Sequence, residues 1–233
     1  RLGEGTTSPN PSLVRRGSAA TLLPNTYYLV PIFMIIIDYN FKNHKSIIHA
    51  VCLAMKRGKV VAYPTDTSYG LAVDITNKKA VDLLYKIKGR SRKQPIHLVI
   101  SSLSEAKKIV VWNKYADKLA KEFWPGALSL VLPLAAKSPQ SIKQFSGNTK
   151  TIGLRMPDNK IALELVKALG QPMPAVSANP SGKNNSGVDS YSSNEIIKQF
   201  SKQKYKPDII INAGRLPKCK PSTLVAISDD GSH

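Results

Sequence analysis

The sequence predicts an α/β domain with a largely parallel or mixed sheet, and three observations predict it. Short apolar runs of strand length alternate with segments whose apolar residues fall at helical spacing. Glycines and capping residues punctuate most transitions. The apolar runs also end in clusters of hydroxyl, amide and cationic side chains. In open α/β sheets ligands collect where strands end, so this last observation concerns function as well as fold.

Residues 1–33 differ from the rest of the chain. Their first 25 positions are rich in Gly, Pro, Ser and Thr with little apolar periodicity, and read as a disordered or non-native leader. The apolar run over 27–37 is about half the ~20 residues a membrane span needs. Pro31 interrupts it and no small-residue cleavage site follows, so neither a span nor a signal peptide is expected. Residues 34–233 are expected to form one domain, its first strand built on Ile35, Ile36 and Ile37.

Ile47, Ile48, Val51, Cys52 and Met55 then mark a helix stopped near Gly58. A strand over 60–63 halts at Pro64 and releases Thr65, Asp66, Thr67, Ser68, Tyr69 and Gly70. Asn77 caps a helix with core face Val81, Leu84 and Ile87, ended by Gly89, so that Lys88, Arg90 and Arg92 crowd its end beside a strand over 96–100. Ser102 and Glu105 form a capping box for a short helix, and 115–123 is an amphipathic helix broken by Trp124, Pro125 and Gly126. Strands follow over 128–132 and 151–154, the second placing Arg155 at its end. A helix over 161–169 stops at Gly170, and Ala175 and Val176 lead into Ser177, Ala178 and Asn179. Ser192 and Glu195 cap a helix over 196–200, and strands over 208–211 and from Ser222 complete an alternation of strands with helices.

Composition narrows the function. The 34 Lys and Arg against 15 Asp and Glu give a net charge of +19, which attracts phosphates, whether of nucleotides or of RNA. Cys52 and Cys219 are too few for a disulfide framework or a zinc site, and a reducing cytoplasm is the expected compartment. Neither a G-x-x-x-x-G-K-[ST] loop nor G-x-G-x-x-G is present. His44 and His49 share one helix with unsuitable metal spacing, His97 sits on a strand and His233 is terminal; none is assigned to catalysis, and no protein metal site is expected.

The polar strand ends are best read together. The strand ends Thr65-Asp66-Thr67, Arg155, Ser177-Ala178-Asn179 and Ser222-Thr223 surround a crevice that Lys88, Arg90 and Arg92 approach from the side. Such a set suits a zwitterionic small molecule beside a polyphosphate, with arginine for a carboxylate, hydroxyls for an amine or alcohol, and cations for phosphates.

Six segments in order carry a resemblance: Tyr63 to Leu71 (YPTDTSYGL), Lys88-Gly89-Arg90, Phe123-Trp124-Pro125-Gly126, Arg155-Met156-Pro157, Ser177 to Gly182 (SANPSG), and Pro221 to Val225 (PSTLV). Together they make the chain similar to the YrdC family, the threonylcarbamoyl-AMP synthases, in its short single-domain form. The resemblance implies a YrdC-like twisted open sheet flanked by helices, with a deep basic cleft. It implies condensation of L-threonine, bicarbonate or CO2 and ATP into threonylcarbamoyl-AMP and pyrophosphate, for threonylcarbamoyladenosine in tRNA. Its K-x-R and S-x-N signature falls on Lys88 and Arg90 and on Ser177 and Asn179. Its threonine contacts carry over to Thr67, Arg155, Ser177 and Ser222, and its ATP contacts to Arg90, Gln94, Thr151 and Asn179, with Lys88 and Ser186 placed towards the phosphates. Mg2+ would arrive with ATP, and the product would pass to the tRNA threonylcarbamoyl transferase machinery.

Departures stand beside these matches. Val99 occupies the place of a family histidine, a family arginine after Thr223 has no counterpart, and the loop 183–187 differs in length. Weak binding of tRNA or double-stranded RNA through phosphate contacts is expected from the charge. A double-stranded RNA-binding protein of this fold, and a relative with another carbamoyl acceptor, are the alternatives.

Overall fold

The computed structural model describes residues 27–29, 34–40, 42–182 and 185–228, with 27–29, 182, 185 and 186 described in backbone only. The expected leader 1–33 lies outside the described residues, except that Tyr27–Leu29 forms β1. This strand runs antiparallel to β2 (Ile35–Asp38), so the sheet begins upstream of Met34.

Helix α1 (His44–Lys56) leads to a hairpin, β3 (Val61–Pro64) and β4 (Tyr69–Ala72), where alternation of strand and helix was expected. The cause is local. Thr65 Oγ1 accepts from the backbone N–H groups of Thr67 (3.1 Å) and Ser68 (3.2 Å) and donates to Ser68 O (2.6 Å), closing a hydroxyl-capped turn that sends the chain straight back.

Helix α2 (Lys78–Lys88) is capped as expected: Asn77 accepts from the Ala80 N–H, and Gly89 ends the helix at φ +61°. Then come β5 (His97–Val99), α3 (Leu103–Ile109), α4 (Lys114–Phe123), β6 (Leu128–Pro133), α5 (Gln140–Lys143), β7 (Thr151–Arg155), α6 (Lys160–Leu169) and β8 (Met173–Ser177). The short pair β9 (Ser181–Gly182) and β10 (Asn185–Ser186) precedes α7 (Ser193–Phe200). β11 (Ile209–Asn212) and β12 (Thr223–Ala226) succeed each other without a helix, a second departure from alternation.

Among the described residues ten strands make one mixed, twisted sheet in the order β1-β2-β11-β3-β4-β8-β5-β7-β6-β12. β2, β11 and β3 are parallel, as are β5 and β7, and β6 and β12; the pairs of β4 with β3 and β8, of β8 with β5, and of β7 with β6 are antiparallel. β11 and β12 lie seven places apart, so the segment 213–222 must cross the strand ends between them.

The two sheet faces are covered differently. One carries Ile36, Ala62, Leu71, Leu98, Leu154 and Ile210 into a core shared with apolar residues of α2, α3, α4, α5 and α7. The other carries Val61, Tyr63, Ala72, Val99, Met173 and Ile211 against α1 and α6. Because side chains alternate along a strand, Gly70, His97, Ala175 and Ser177 lie on this second face too. They sit further along their strands and line a cavity. The cleft is therefore the part of a sheet face that the α1–α6 pair leaves uncovered. No helix among the described residues is long and apolar enough to cross a membrane.

Candidate active site

Polar side chains from separate strand ends share one cavity, whereas Asn179, Lys88, Arg90 and Arg92, also expected there, do not line it. Thr67 from the β3–β4 turn, Arg155 from β7, Ser177 from β8 and Ser222 ahead of β12 all line one cavity of about 190 Å³, with Ser129 of β6 facing Ser222 across an Oγ–Oγ distance of 3.1 Å. A cavity of that volume has room for an amino acid.

Arg155 is 7% exposed and binds three segments at once. Its NH2 group donates to Asp66 Oδ1 (2.6 Å), its NH1 group to Thr67 Oγ1 (3.1 Å) and its Nε–H to Gly126 O (3.3 Å). The Trp124–Gly126 turn thus supports the arginine through a backbone carbonyl. Gly126 N–H in turn donates to Met156 O (2.8 Å), tying the two motifs together. The guanidinium keeps further N–H donors beyond these three contacts.

Lys88 departs from expectation. Rather than an exposed cation beyond a helix end, it is the last residue of α2 and only 1% exposed. Its Nζ donates to Ser177 O (2.8 Å), Asn179 O (2.5 Å) and Asn179 Oδ1 (2.6 Å), and Ser177 Oγ donates to the same Oδ1 (2.7 Å). Lys88, Ser177 and Asn179 are therefore one network in which the lysine clamps the 177–179 loop, with Arg90 outside it. Burial and the like charge of Arg90 push the ammonium down to about 7, while Asp189 acts in the opposite sense. Three close acceptors need all three hydrogens of the charged form, and this hydrogen bonding opposes the desolvation. The Asn179 side-chain amide N–H groups have no partner among the described residues.

Gly89 makes the clamp possible. Its left-handed φ of +61° suits glycine, and a Cβ there would lie 2.6 Å from Ser181 O. The turn carries Arg90, half-buried and, among the described residues, without side-chain hydrogen bonds or ion pairs. Arg92 instead turns outward, paired with Asp82 and stacked on Tyr85 at 4.2 Å, so it does not join the site. Gln94 is exposed, and Thr151 is half-buried at the start of β7, bonded to Thr149; neither lines the cavity. The side chain of Ser186 lies outside the described residues.

Besides Ser129, two polar residues in the cavity escaped the sequence reading. His97 lines it, two positions before Val99 on the same face of β5, so the period of two was the available signal. Burial, and then the Arg90 charge, hold its imidazole below the usual histidine range and hence neutral at physiological pH. The ring rests on Gly153, where a Cβ would sit 2.6 Å from His97 Cγ. Gly153→Ala is therefore expected to force the imidazole out of the cleft. It should cost about 1–3 kcal/mol, as overpacking does, and adding His97→Ala should restore most of that loss. Denaturant titration of the single and double variants checks this; a stable single variant would show that the ring does not sit on Gly153. The second missed residue is Asp189, for which its loop gave no periodic signal.

Among the described residues no group of three His, Cys, Asp or Glu side chains could hold a metal ion.

Comparison with known proteins bears on this site. A Sua5/YciO/YrdC family model, described as telomere recombination, matches residues 53–233. The chain is 40% identical over 133 residues to a threonylcarbamoyl-AMP synthase of Pyrococcus abyssi, covering 55% of this chain and 37% of that protein. It is 30% identical over 195 residues to a putative threonylcarbamoyl-AMP synthase of Methanocaldococcus jannaschii, covering 84% and 87% respectively. Among solved structures, P. abyssi Sua5 complexed with L-threonine is similar, with a TM-score of 0.69 and 31% identity over 82% of this chain and 53% of that one. The chain thus spans well under half the length of the curated Pyrococcus relative.

Proposed function

The chain belongs to the Sua5/YciO/YrdC family, and from that membership we propose that it is an L-threonylcarbamoyladenylate synthase. It condenses L-threonine, bicarbonate or CO2, and ATP into threonylcarbamoyl-AMP and pyrophosphate, for transfer to tRNA by a separate threonylcarbamoyl transferase machinery. The observation that carries the reading is the convergence of Thr67, Arg155, Ser177 and Ser222 from separate strand ends on one cavity of amino-acid size.

The chemistry derives from that arrangement. Threonine's amine gives up a proton, bonds to CO2 and loses a second proton to become a carbamate. A carbamate oxygen then attacks the α-phosphorus of ATP as the bond to pyrophosphate breaks. Both partners are anions, so repulsion must be neutralised before they can be oriented. The spare N–H groups of Arg155 anchor the threonine carboxylate, while the Thr67, Ser177 and Ser222 hydroxyls face the rest of the amino acid. Arg90 and the Asn179 amide N–H groups are the uncommitted donors for phosphate oxygens; Lys88 acts by holding Asn179 and Ser177 in place. Gln94 and Thr151, outside the cavity, would contact ATP only where the nucleotide extends beyond it. Mg2+ would be carried by the nucleotide's phosphates, since it keeps much of its water and needs few protein ligands when phosphates bridge it.

The test is direct. With ATP, bicarbonate and each amino acid in turn, pyrophosphate release should depend on L-threonine, proceed without RNA and yield an adenylate of the threonylcarbamoyl mass. Preference for another acceptor, or a strict requirement for RNA, would overturn the assignment.

A further inference from the structure

Among the described residues two carboxylates bear on the site, one behind Arg155 and one on the cavity wall, and they are in opposite situations. Asp66 is paired with Arg155 at 2.6 Å. Asp189 is half-buried and lines the cavity, yet among the described residues its carboxylate has neither a hydrogen bond nor an ion pair. It is held there by its neighbour. Ser190 is fully buried: its Oγ donates to Ala178 O (3.0 Å) and accepts from Gln199 Nε2 (2.8 Å), and its carbonyl accepts the Tyr69 N–H (2.8 Å). The segment is thus pinned between β4 and the 177–179 loop, with Asp189 facing the cavity.

Neither nearby buried cation satisfies it. All three Nζ hydrogens of Lys88 go to Ser177 O, Asn179 O and Asn179 Oδ1, so Asp189 acts on the lysine only through space. The Arg155 head is bound to Asp66, Thr67 and Gly126. A carboxylate on a cavity wall with no donor bound to it is open to a charge-assisted hydrogen bond from a cationic ligand.

We propose that Asp189 receives the α-ammonium of the incoming amino acid, so that the cavity selects a zwitterion by pairing Arg155 with the carboxylate and Asp189 with the amine. The proposal rests on the amino-acid reading of the site. It assigns Asp189 a part in binding and selection and no part in bond making. Discrimination comes from charge: a ligand with the same carboxylate and hydroxyl but no amine leaves Asp189 unsatisfied, as an unpaired polar group in a specific site does.

Calorimetric titration of the full chain with L-threonine and with (R)-3-hydroxybutyrate, which is threonine with hydrogen in place of the amine, tests this. The unmodified chain should prefer threonine by about tenfold or more, the usual scale of a charge-assisted contact. In Asp189→Asn that preference should shrink to within about threefold, with hydroxybutyrate binding retained as the sign of an intact cavity. Asp189→Ser gives the same readout should the amide variant misfold. An unchanged preference in either folded variant overturns the proposal. If Asp189 served only to balance Lys88, away from the amine, its removal would strengthen the carboxylate contact common to both ligands and leave their ratio as it was. A chain that binds neither ligand overturns the amino-acid reading itself, and the proposal with it, an outcome distinct from a lost effect in the variants.

Discussion

Lys88→Ala is expected to lose pyrophosphate release and also to destabilise the protein, whereas Arg90→Ala should lose the activity at nearly unchanged stability. The ammonium is the donor for two backbone carbonyls and one amide oxygen that bury the 177–179 loop. Removing it leaves the Ser177 and Asn179 carbonyls without that donor, at a cost of about 2–4 kcal/mol by the usual penalty for unsatisfied buried groups. Arg90 makes no side-chain hydrogen bond or ion pair among the described residues, so its truncation falls in the range of surface changes, within about 0.5 kcal/mol. Chemical denaturation beside a pyrophosphate assay separates the two. Equal stability for both variants would mean that Lys88 is not the clamp.

The same lysine gives a pH dependence of definite sign. Burial lowers its folded value from the ordinary 10.5 towards about 7, and the three acceptors, which favour the charged form, narrow that gap; inside it the unfolded chain holds more proton than the folded chain. Stability therefore rises with pH across that window through this group, and the contribution is lost as pH falls towards 7. Lys88→Met, which does not titrate, should lack that slope. A wild-type slope in the variant would assign the pH dependence to other groups.

Much of this architecture was legible because it is local. Asn77, Ser102 and Ser192 cap helices where the sequence placed them, since a capping oxygen needs only N–H groups two or three residues on. The grouping of Thr67, Arg155, Ser177 and Ser222 was legible for a different reason, namely that strand ends in an open sheet share a side. What escaped depends on partners distant in the chain. Lys88 sits at the end of a helix, where a cation is ordinarily exposed; only the approach of Ser177 and Asn179, about ninety positions later, buries it. The β3–β4 hairpin was hidden because Thr65 closes its turn with a hydroxyl, without the Asn-Gly or Asp-Gly pair that usually marks one. His97 was set aside as strand-borne, although it shares its face with Val99, and Gly153 two strand positions before Arg155 is what makes room for it.

Arg155→Lys and Asp66→Asn should move threonine binding in opposite directions. A lysine cannot span Asp66, Thr67 and Gly126 with one nitrogen, nor meet a carboxylate as a planar fork does. Its threonine requirement is expected to rise roughly tenfold to a hundredfold, the scale of a lost charge-assisted contact, with the ATP requirement much less affected. Asp66→Asn instead leaves the guanidinium without its counter-ion. Arg155 and Asp66 have side chains only 9% and 13% exposed, so little water screens the loss, and unliganded stability should fall by about 3 kcal/mol. Threonine's carboxylate can supply the missing charge, so the Asp66→Asn protein should gain more thermal stability from added threonine than the unmodified chain does. Initial rates over a grid of threonine and ATP concentrations, with melting curves at rising threonine, measure both effects. If Arg155→Lys raised the two substrate requirements equally, and threonine stabilised the Asp66→Asn and unmodified proteins alike, Arg155 would belong to the nucleotide rather than to the amino acid.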